Sequence, residues 1–168
     1  VTKISGELVL GGVEIYPLPL LAGVQGYRTI FYKGADINTL KMFAKGPDLM
    51  KDIRLLELSS NKILVFNRPQ GAIGGRGKIA FTIIHSLKEL NADVISNSEL
   101  LTSQFIEAEW GGPNELHLLN NGLIGVLGHV SCYDDNMERH YYAMTFSFNT
   151  ETKEVSPIKL IAIRKNFK

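Results

Sequence analysis

The sequence has a single cysteine, no long apolar run and almost no net charge, and each absence excludes a class of protein. Cys132 cannot form a disulfide within the chain, which indicates a reducing, cytoplasmic location. No apolar segment approaches the ~18–20 residues of a membrane-spanning helix. Lys and Arg number 18 against 17 Asp and Glu, a formal net charge of +1. This balance argues against a protein that coats nucleic acid or an acidic membrane surface.

Motifs for metals, cofactors and export are also missing. The histidines, at 85, 117, 129 and 140, show no metal-ligand spacing, so we predict neither a metal nor a cofactor. The glycine-rich segment 67–78 is not a phosphate loop, because Ile79 follows Gly77-Lys78 where Ser or Thr is required. A strand, and not a helix, is predicted after this segment, which excludes a dinucleotide fingerprint. The first residues do not resemble a signal peptide.

What the sequence does have is a series of short segments rich in β-branched and aromatic residues. The chain has 168 residues, 45% of them hydrophobic, as in one ordinary globular domain. The pattern is typical of an all-β fold, and the predicted strands are GELVLGGVEIYPLP, YRTIFYKG, DIRLLELSS, KILVFNRP, KIAFTIIHS, NELHLLNN, LIGVLGHVSC, HYYAMTFSFN and PIKLIAIRK. Tight turns are predicted at Gly34, Asn61 and Asn121-Gly122. Helical periodicity over 86–95 and 98–110 is weak, and we interpret 86–95 as a turn between strands.

Two blocks of the chain follow one plan when they are aligned with a shift of ~61–64 residues. Each has two apolar strands, the second ending in a basic residue (Arg68 against His129), then a third strand, a polar turn and a short outer strand. Repeats of four strands are typical of β-propeller blades. We therefore predict a partial propeller with about two complete blades and part of another. The approximate bounds are 1–50 (partial), 51–110 and 111–168.

Propellers close with ~4–8 blades, so this chain holds roughly half a ring. A half-ring leaves apolar blade faces open. Three explanations are open: the chain is a fragment, the halves self-associate through the open faces, or the repeat interpretation is wrong.

Several polar residues are candidates for chemistry. The segment NRPQGAIGGRGK places Arg68 and Arg76 on a flexible glycine loop, which is either an anion site or only a structural connection. Asp52 and Arg54, two apart at a strand start, are either an acid–base pair or a surface ion pair.

Near the middle of the chain, Trp110 precedes a Gly-Gly-Pro turn with Asn114 and Glu115, which is typical of a sugar site or of a core tryptophan beside a turn. His129 is either a satisfied polar residue or, because it matches Arg68, part of a shared central site. A buried thiol is the simpler interpretation of Cys132.

The motifs MKDIRLLEL, NRPQG with GRGKIAF, EWGGPNELHLL, GLIGVLGH and AMTFSFN occur in this order. With them, the chain resembles the C-terminal part of a little-characterised family of five-bladed β-propellers. That family, formerly a domain of unknown function, is related to the family-130 mannoside phosphorylases. It includes the mannosyltransferase/phosphorylases of Leishmania parasites and bacterial relatives. The resemblance extends over essentially the whole chain.

The resemblance implies inverting transfer of a mannosyl unit of a β-mannoside to or from phosphate, or from a sugar nucleotide. The proton donor of the related phosphorylases lies in a Glu-Asp-Pro-Arg motif, which assigns that role to Asp52, with Arg54 beside it. Lys51 and Ile53 replace the Glu and the Pro. Strand-end Arg and His residues bind phosphate in those enzymes, which implies Arg68 and His129 here, although a Tyr-His-Gly motif is replaced by Gly128-His129-Val130.

The expected partners are therefore a mannose-containing oligosaccharide and phosphate or a sugar nucleotide. Arg76, Trp110, Asn114 and Glu115 are added as substrate- or phosphate-binding residues from their positions in the sequence. We expect Asp52 to face Arg68, Arg76 and His129 across a central funnel, and the isolated chain to be weakly active or inactive. The alternatives are a non-catalytic carbohydrate-binding propeller and a glycoside hydrolase that uses water.

Overall fold

The structure, a computed structural model, describes residues 1–18, 23–59, 61–102 and 104–167. Two predicted strand segments end at Pro19 and Ser60, which lie outside these ranges. Within the described ranges twelve strands are present: β1 (Thr2–Ile4), β2 (Glu7–Pro17), β3 (Gln25–Gly34), β4 (Lys41–Lys45), β5 (Arg54–Leu58), β6 (Lys62–Asn67), β7 (Ala80–Ile84), β8 (Glu99–Leu100), β9 (Trp110–Leu118), β10 (Ile124–Tyr133), β11 (Arg139–Phe148) and β12 (Lys159–Ala162).

These strands form three four-stranded sheets in which spatial neighbours are also neighbours in sequence: β1 to β4, β5 to β8, and β9 to β12. Every pair in the first and third sheets is antiparallel, as is β5 with β6. The prediction of an all-β chain built from four-stranded units is confirmed. The first sheet has all four strands, whereas the sequence indicated only part of a unit there, because β1 is three residues long.

The helices are short: α1 (Gly71–Gly74), α2 (Ala92–Ser96) and 3-10 turns at Leu87–Glu89 and Arg164–Asn166. The segment 86–95, interpreted from the sequence as a turn between strands, connects β7 to β8 and contains one 3-10 turn and most of α2. Asn91 caps α2 by accepting a hydrogen bond from Val94 N. The 98–110 segment contains β8 and then irregular chain before β9.

The predicted turns lie where strands reverse. Asn61 between β5 and β6 and Gly122 between β9 and β10 have φ angles of 57° and 80°, in the left-handed region that Asn and Gly adopt most easily. Gly34 ends β3, and a Cβ there would lie 2.7 Å from the backbone of Thr39. The return to β4 therefore requires a residue without a side chain.

The chain divides into two compact units, and the first comprises residues 1–67 and 81–99. Its core is formed by buried apolar side chains from the first two sheets and from the segments between their strands: Ile4, Val9, Phe31, Ala44, Met50, Ile53, Leu55, Ile63, Val65, Ile84, Leu90 and Ile95. Ser5 N and Oγ donate to Glu57 Oε1 at 2.8 and 3.1 Å, which joins β1 to β5 at the edge of this core.

The second unit comprises residues 68–80 and 100–168 and is built on the third sheet. Alternate residues of β10 and β11 are buried on one face, among them Ile124, Val126 and Phe146. Gly111 and Gly128 allow β9 and β10 to approach, because a Cβ at either would clash with a carbonyl oxygen of the opposite strand. Among the described residues, no helix has the length and apolar character needed to span a membrane.

The burial pattern predicts which isoleucines stabilise the first unit. Ile84 in β7 is 1% exposed, whereas Ile15 in β2 is 65% exposed. We expect Ile84→Ala to lower the free energy of unfolding by ~2–5 kcal/mol, because it leaves a cavity. Ile15→Ala, the same change in a strand, should alter it by about 0.5 kcal/mol or less. Urea denaturation followed by circular dichroism measures both, and equal effects would contradict this description of the core.

Candidate functional site

Asp52 and Arg54 are close together in the first unit. Arg54 NH2 lies 3.9 Å from Asp52 Oδ1, and the Asp52 side chain is 17% exposed. The two-residue spacing predicted that Asp52 and Arg54 lie on one face of a strand. β5 begins only at Arg54, so Asp52 precedes the strand. Asp52 has a φ of 59°, an uncommon conformation for a residue other than glycine. Such conformations concentrate at functional sites, and here it places a half-buried carboxylate beside a guanidinium group.

The glycine-rich segment of the second unit forms a hydrogen-bonded helical turn. α1 occupies Gly71–Gly74, and Gly71 and Gly75 exchange backbone hydrogen bonds of 2.8 Å. Arg68 is 7% exposed, and its NH2 donates to the carbonyl oxygen of Arg76 at 3.0 Å. Gln70 donates to the same oxygen at 2.9 Å. Arg68 therefore fixes the backbone of the residue that carries the second guanidinium group.

Gly77 is the residue that allows this arrangement. It has a φ of 142°, and a Cβ there would lie 2.3 Å from Arg68 Nε. Gly111 N at the start of β9 donates to Gly77 O at 3.1 Å, which attaches the turn to the third sheet.

Arg76, projecting from this turn, lies against two aromatic rings of the third sheet. Its guanidinium carbon is 5.2 Å from the centre of the Trp110 ring and 4.6 Å from that of Tyr133. These distances are within the range of cation–π attraction. Trp110 is 4% exposed, so it supports Arg76 from the core and offers little ring surface to a sugar.

Arg139 approaches the same rings. Its guanidinium carbon is 5.6 Å from the centre of Tyr133 and 6.0 Å from that of Trp110. NH2 donates to the Tyr133 hydroxyl at 3.0 Å, and NH1 to the Tyr141 hydroxyl at 3.3 Å. The hydrogen bond from Arg139 lowers the pKa of Tyr133 below its usual value, and the charge of Arg76 adds to this effect. The arrangement therefore has the potential to bind an anion.

A cleft of about 420 Å³ lies farther along the same sheet. Asn114, Glu115 and His129 line it together with Tyr141 and Met144. The His129 ring is 5.9 Å from the Tyr141 ring, and its Nδ1 lies within hydrogen-bonding distance of Asn114 Oδ1, at 2.9 Å. His129 lies inside β10 and not at a strand end, contrary to the sequence-based expectation.

The structure thus brings several predicted residues of the second unit together. Arg68 and Arg76 share the glycine-rich turn, Trp110 lies beneath Arg76, and Asn114, Glu115 and His129 line the cleft. Tyr141 connects the two groups, because it contacts both Arg139 and His129.

The site residues predicted from the sequence did not include Tyr133, Arg139 or Tyr141. The available signal was the alternation of β10 and β11. Tyr133 is paired with Arg139 and Ser131 with Tyr141 in the register, and both pairs share a face with His129.

One further cluster combines potential metal ligands. One ligand atom from each of Asp134, Glu138 and His140 lies within 4.8 Å of the other two. His140 Nε2 is 3.0 Å from Asp134 Oδ2, and Asp134 Oδ1 accepts from Asn136 N and Glu138 N. These hydrogen bonds lower the pKa of Asp134, with that to His140 the largest cause. They account for the cluster as part of the turn between β10 and β11.

The model of one protein family matches residues 1–168, the whole chain. The chain belongs to the family described as "Protein of unknown function (DUF1861)". No curated protein matches the sequence significantly.

Three solved structures show how this DUF1861 chain relates to proteins of named activity. A mannose phosphorylase from Leishmania mexicana, MPT-4 in complex with a phosphate ion, is similar at 32% identity and a TM-score of 0.86, over 99% of this chain and 52% of that one. MPT-1, a GDP-Man-dependent mannosyltransferase from the same organism, is 32% identical with a TM-score of 0.83, and the alignment covers 99% of this chain and 52% of that one. A hypothetical protein from Leishmania major is 31% identical with a TM-score of 0.80, and the alignment covers 99% of this chain and 50% of that one.

The chain therefore spans about half the length of the structures it matches. Each alignment covers 99% of this chain, so nearly all of the chain is part of the similarity.

The close packing of Gly77 against Arg68 generates a prediction about the glycine-rich turn. We expect Gly77→Ala to displace the Arg68 guanidinium and to destabilise the protein by ~1–3 kcal/mol, because alanine is strained at this φ. Gly12→Ala is the control, since a Cβ there meets nothing within 4 Å and its φ is not positive. Urea denaturation measures the free energy of unfolding, and a neutral Gly77→Ala would contradict the observed packing.

Proposed function

We propose that the protein is a glycoside phosphorylase or mannosyltransferase that acts on β-mannosides by inverting transfer to or from phosphate. The observation that carries the proposal is the convergence of Arg76, Arg139 and Tyr133 beside a polar-rimmed cleft on one sheet. The similarity to a mannose phosphorylase with bound phosphate supports it. In this proposal the three sheets are blades of a five-bladed propeller, with other blades supplied from outside the 168 residues.

The phosphate would be held at the arginine-rich end of the site. Arg76 is exposed, whereas Arg68 is buried and fixes the backbone of Arg76. Guanidinium groups match phosphate oxygens in geometry as well as in charge. Arg68 therefore contributes by positioning the turn, and His129 extends the polar lining toward the cleft.

The mannosyl unit would occupy the cleft lined by Asn114, Glu115 and His129. Amide, carboxylate and imidazole groups bind sugar hydroxyls, and Tyr141, more than half exposed, offers an apolar ring surface. Trp110 contributes indirectly, through its contact with Arg76.

Asp52 would supply the proton in this proposal. Phosphate oxygen attacks the anomeric carbon, the bond to the leaving oxygen breaks, and Asp52 protonates that oxygen, which gives mannose 1-phosphate and a free acceptor hydroxyl. Because phosphate is itself the nucleophile, a second protein carboxylate is unnecessary. Arg54, 3.9 Å from Asp52, orients the carboxylate and maintains a cationic environment.

Lys51 and Ile53 support the second candidate function, a non-catalytic carbohydrate-binding propeller. They replace residues of the motif in the related phosphorylases, and Lys51 Nζ lies 5.9 Å from the centre of the Tyr27 ring. A protein of this kind would bind mannosides without regard to phosphate and would form no product. A hydrolase would release free mannose.

The role of Asp52 predicts the effect of a single amide substitution. We expect Asp52→Asn to reduce formation of mannose 1-phosphate from a β-mannoside and phosphate by ~10²–10⁴-fold, because the amide cannot donate the proton. Asp135→Asn, an exposed turn residue, is the matched control. Chromatographic product analysis measures both rates, while calorimetry checks that mannoside binding survives. Full activity in Asp52→Asn would identify another acid.

Phosphorolysis and hydrolysis differ in their dependence on the cationic side chains. We expect Arg76→Gln to reduce phosphate-dependent turnover ~10–10³-fold through weaker binding and alignment of phosphate. His129→Ala should do the same, with a smaller effect. If the protein is a hydrolase, free mannose will be the product and both variants will retain its release. Quantifying mannose and mannose 1-phosphate in one reaction separates the two activities.

A further inference from the structure

Arg76 and Arg139 converge on Tyr133 without a neutralising carboxylate. Among the residues that the structure describes, no Asp or Glu oxygen lies within 4.0 Å of either guanidinium group. The nearby carboxylate of Asp134 is paired with His140. Two positive groups that share one ring repel each other, and an anion between them would relieve that repulsion.

The groups at this position form a set of donors. Arg139 NH2 donates to the Tyr133 hydroxyl, so that hydroxyl directs its own proton elsewhere. The depressed pKa of this phenol reflects the same positive field. Arg76 and Arg139 are both exposed, so their remaining N–H groups are accessible to solvent and to a ligand.

The aromatic surfaces are less accessible than the donors. Trp110 is 4% exposed, and both guanidinium groups lie against the Trp110 and Tyr133 rings. A nucleobase could stack on these rings only by displacing an arginine. A small tetrahedral oxyanion needs only the outward N–H and O–H donors, and these match its oxygens.

We propose that Arg139 and Tyr133 complete, with Arg76, a cradle for inorganic phosphate or the phosphate of a sugar monophosphate, and that this cradle disfavours a nucleoside diphosphate. The inference rests on the proposed function and selects phosphate over a sugar nucleotide as the reaction partner. Arg139 and Tyr133 lie outside the glycine-rich turn, so the cradle joins two separate segments of the chain. Tyr141, also bonded to Arg139, connects the cradle to the cleft.

Trp110 provides a direct measurement, because it is the only tryptophan among the 168 residues and both arginines lie against it. We would titrate the protein with inorganic phosphate at constant ionic strength and follow tryptophan fluorescence. A saturable change is expected. GDP, titrated in the same way, should bind no more tightly than phosphate.

Substitutions test the assigned residues. Arg139→Gln should weaken phosphate binding at least ~10-fold, and Tyr133→Phe about 3–10-fold, through lost charge-assisted hydrogen bonds. Lys153→Gln removes one positive charge from an exposed residue beyond the end of β11 opposite Arg139 and should change binding less than ~2-fold. If Arg139→Gln does not fold, Arg139→Lys keeps the charge without the planar fork and should weaken binding by an intermediate factor.

Three results would overturn the inference: no saturable response to phosphate, unchanged affinity in the Arg139 variant, or GDP binding more tightly than phosphate. Failure of the proposed function has a different signature. In that case phosphate binding depends on Arg139 as described, yet no mannose 1-phosphate forms from any β-mannoside. Conversely, phosphate-dependent turnover that Arg139→Gln leaves unchanged would reject the cradle and retain the activity.

Discussion

The hydrogen bond from Gly111 N to Gly77 O attaches the glycine-rich turn to the third sheet, and the geometry of the candidate site depends on it. Through this bond and the bond from Arg68 to the Arg76 carbonyl, Arg76 is held above Trp110 and Tyr133. Both glycines are necessary, because a Cβ at 77 would meet Arg68 and a Cβ at 111 would meet His129 O. A buried arginine, Arg68, therefore acts here as part of the scaffold, and the exposed Arg76 is held in place by it.

The remainder of the site depends on the antiparallel register of β10 and β11. Residues opposite each other point to the same face, so Tyr133, Ser131 and His129 share a face with Arg139 and Tyr141. Neighbours in this row differ by two residues, which places their side chains at regular intervals along one face of the hairpin. The opposite face carries buried apolar residues such as Val126 and Phe146, so one pair of strands serves both the core and the site.

Much of the fold could be predicted from the sequence, because strand patterns and turn residues are local. The four-stranded units, the turns at Asn61 and Gly122 and the ordering of the strands required only the pattern and the repeat. The completeness of the first sheet did not follow, since β1 has three residues and no distinctive periodicity. α2 was missed because its five residues depend on the cap at Asn91 more than on hydrophobic spacing.

The candidate site was predicted less completely. Asp52, Arg68, Arg76 and His129 could be selected by motif, yet the burial of Arg68 depends on packing under Gly77, which no local pattern shows. Tyr133 and Arg139 look like ordinary strand residues until the register of the hairpin is known.

The edge strands β4 and β12, with five and four residues, are much shorter than the central strands of their sheets, which have ten or eleven. The edge strand β8 has two residues, against six in β6 and five in β7. An edge strand presents unpaired N–H and C=O groups that can recruit another chain. At these edges few such groups lie in a regular row, and register shifts interrupt the pairing of both β4 and β12. The edges formed by β4, β8 and β12 are therefore poor templates for β-pairing with another chain.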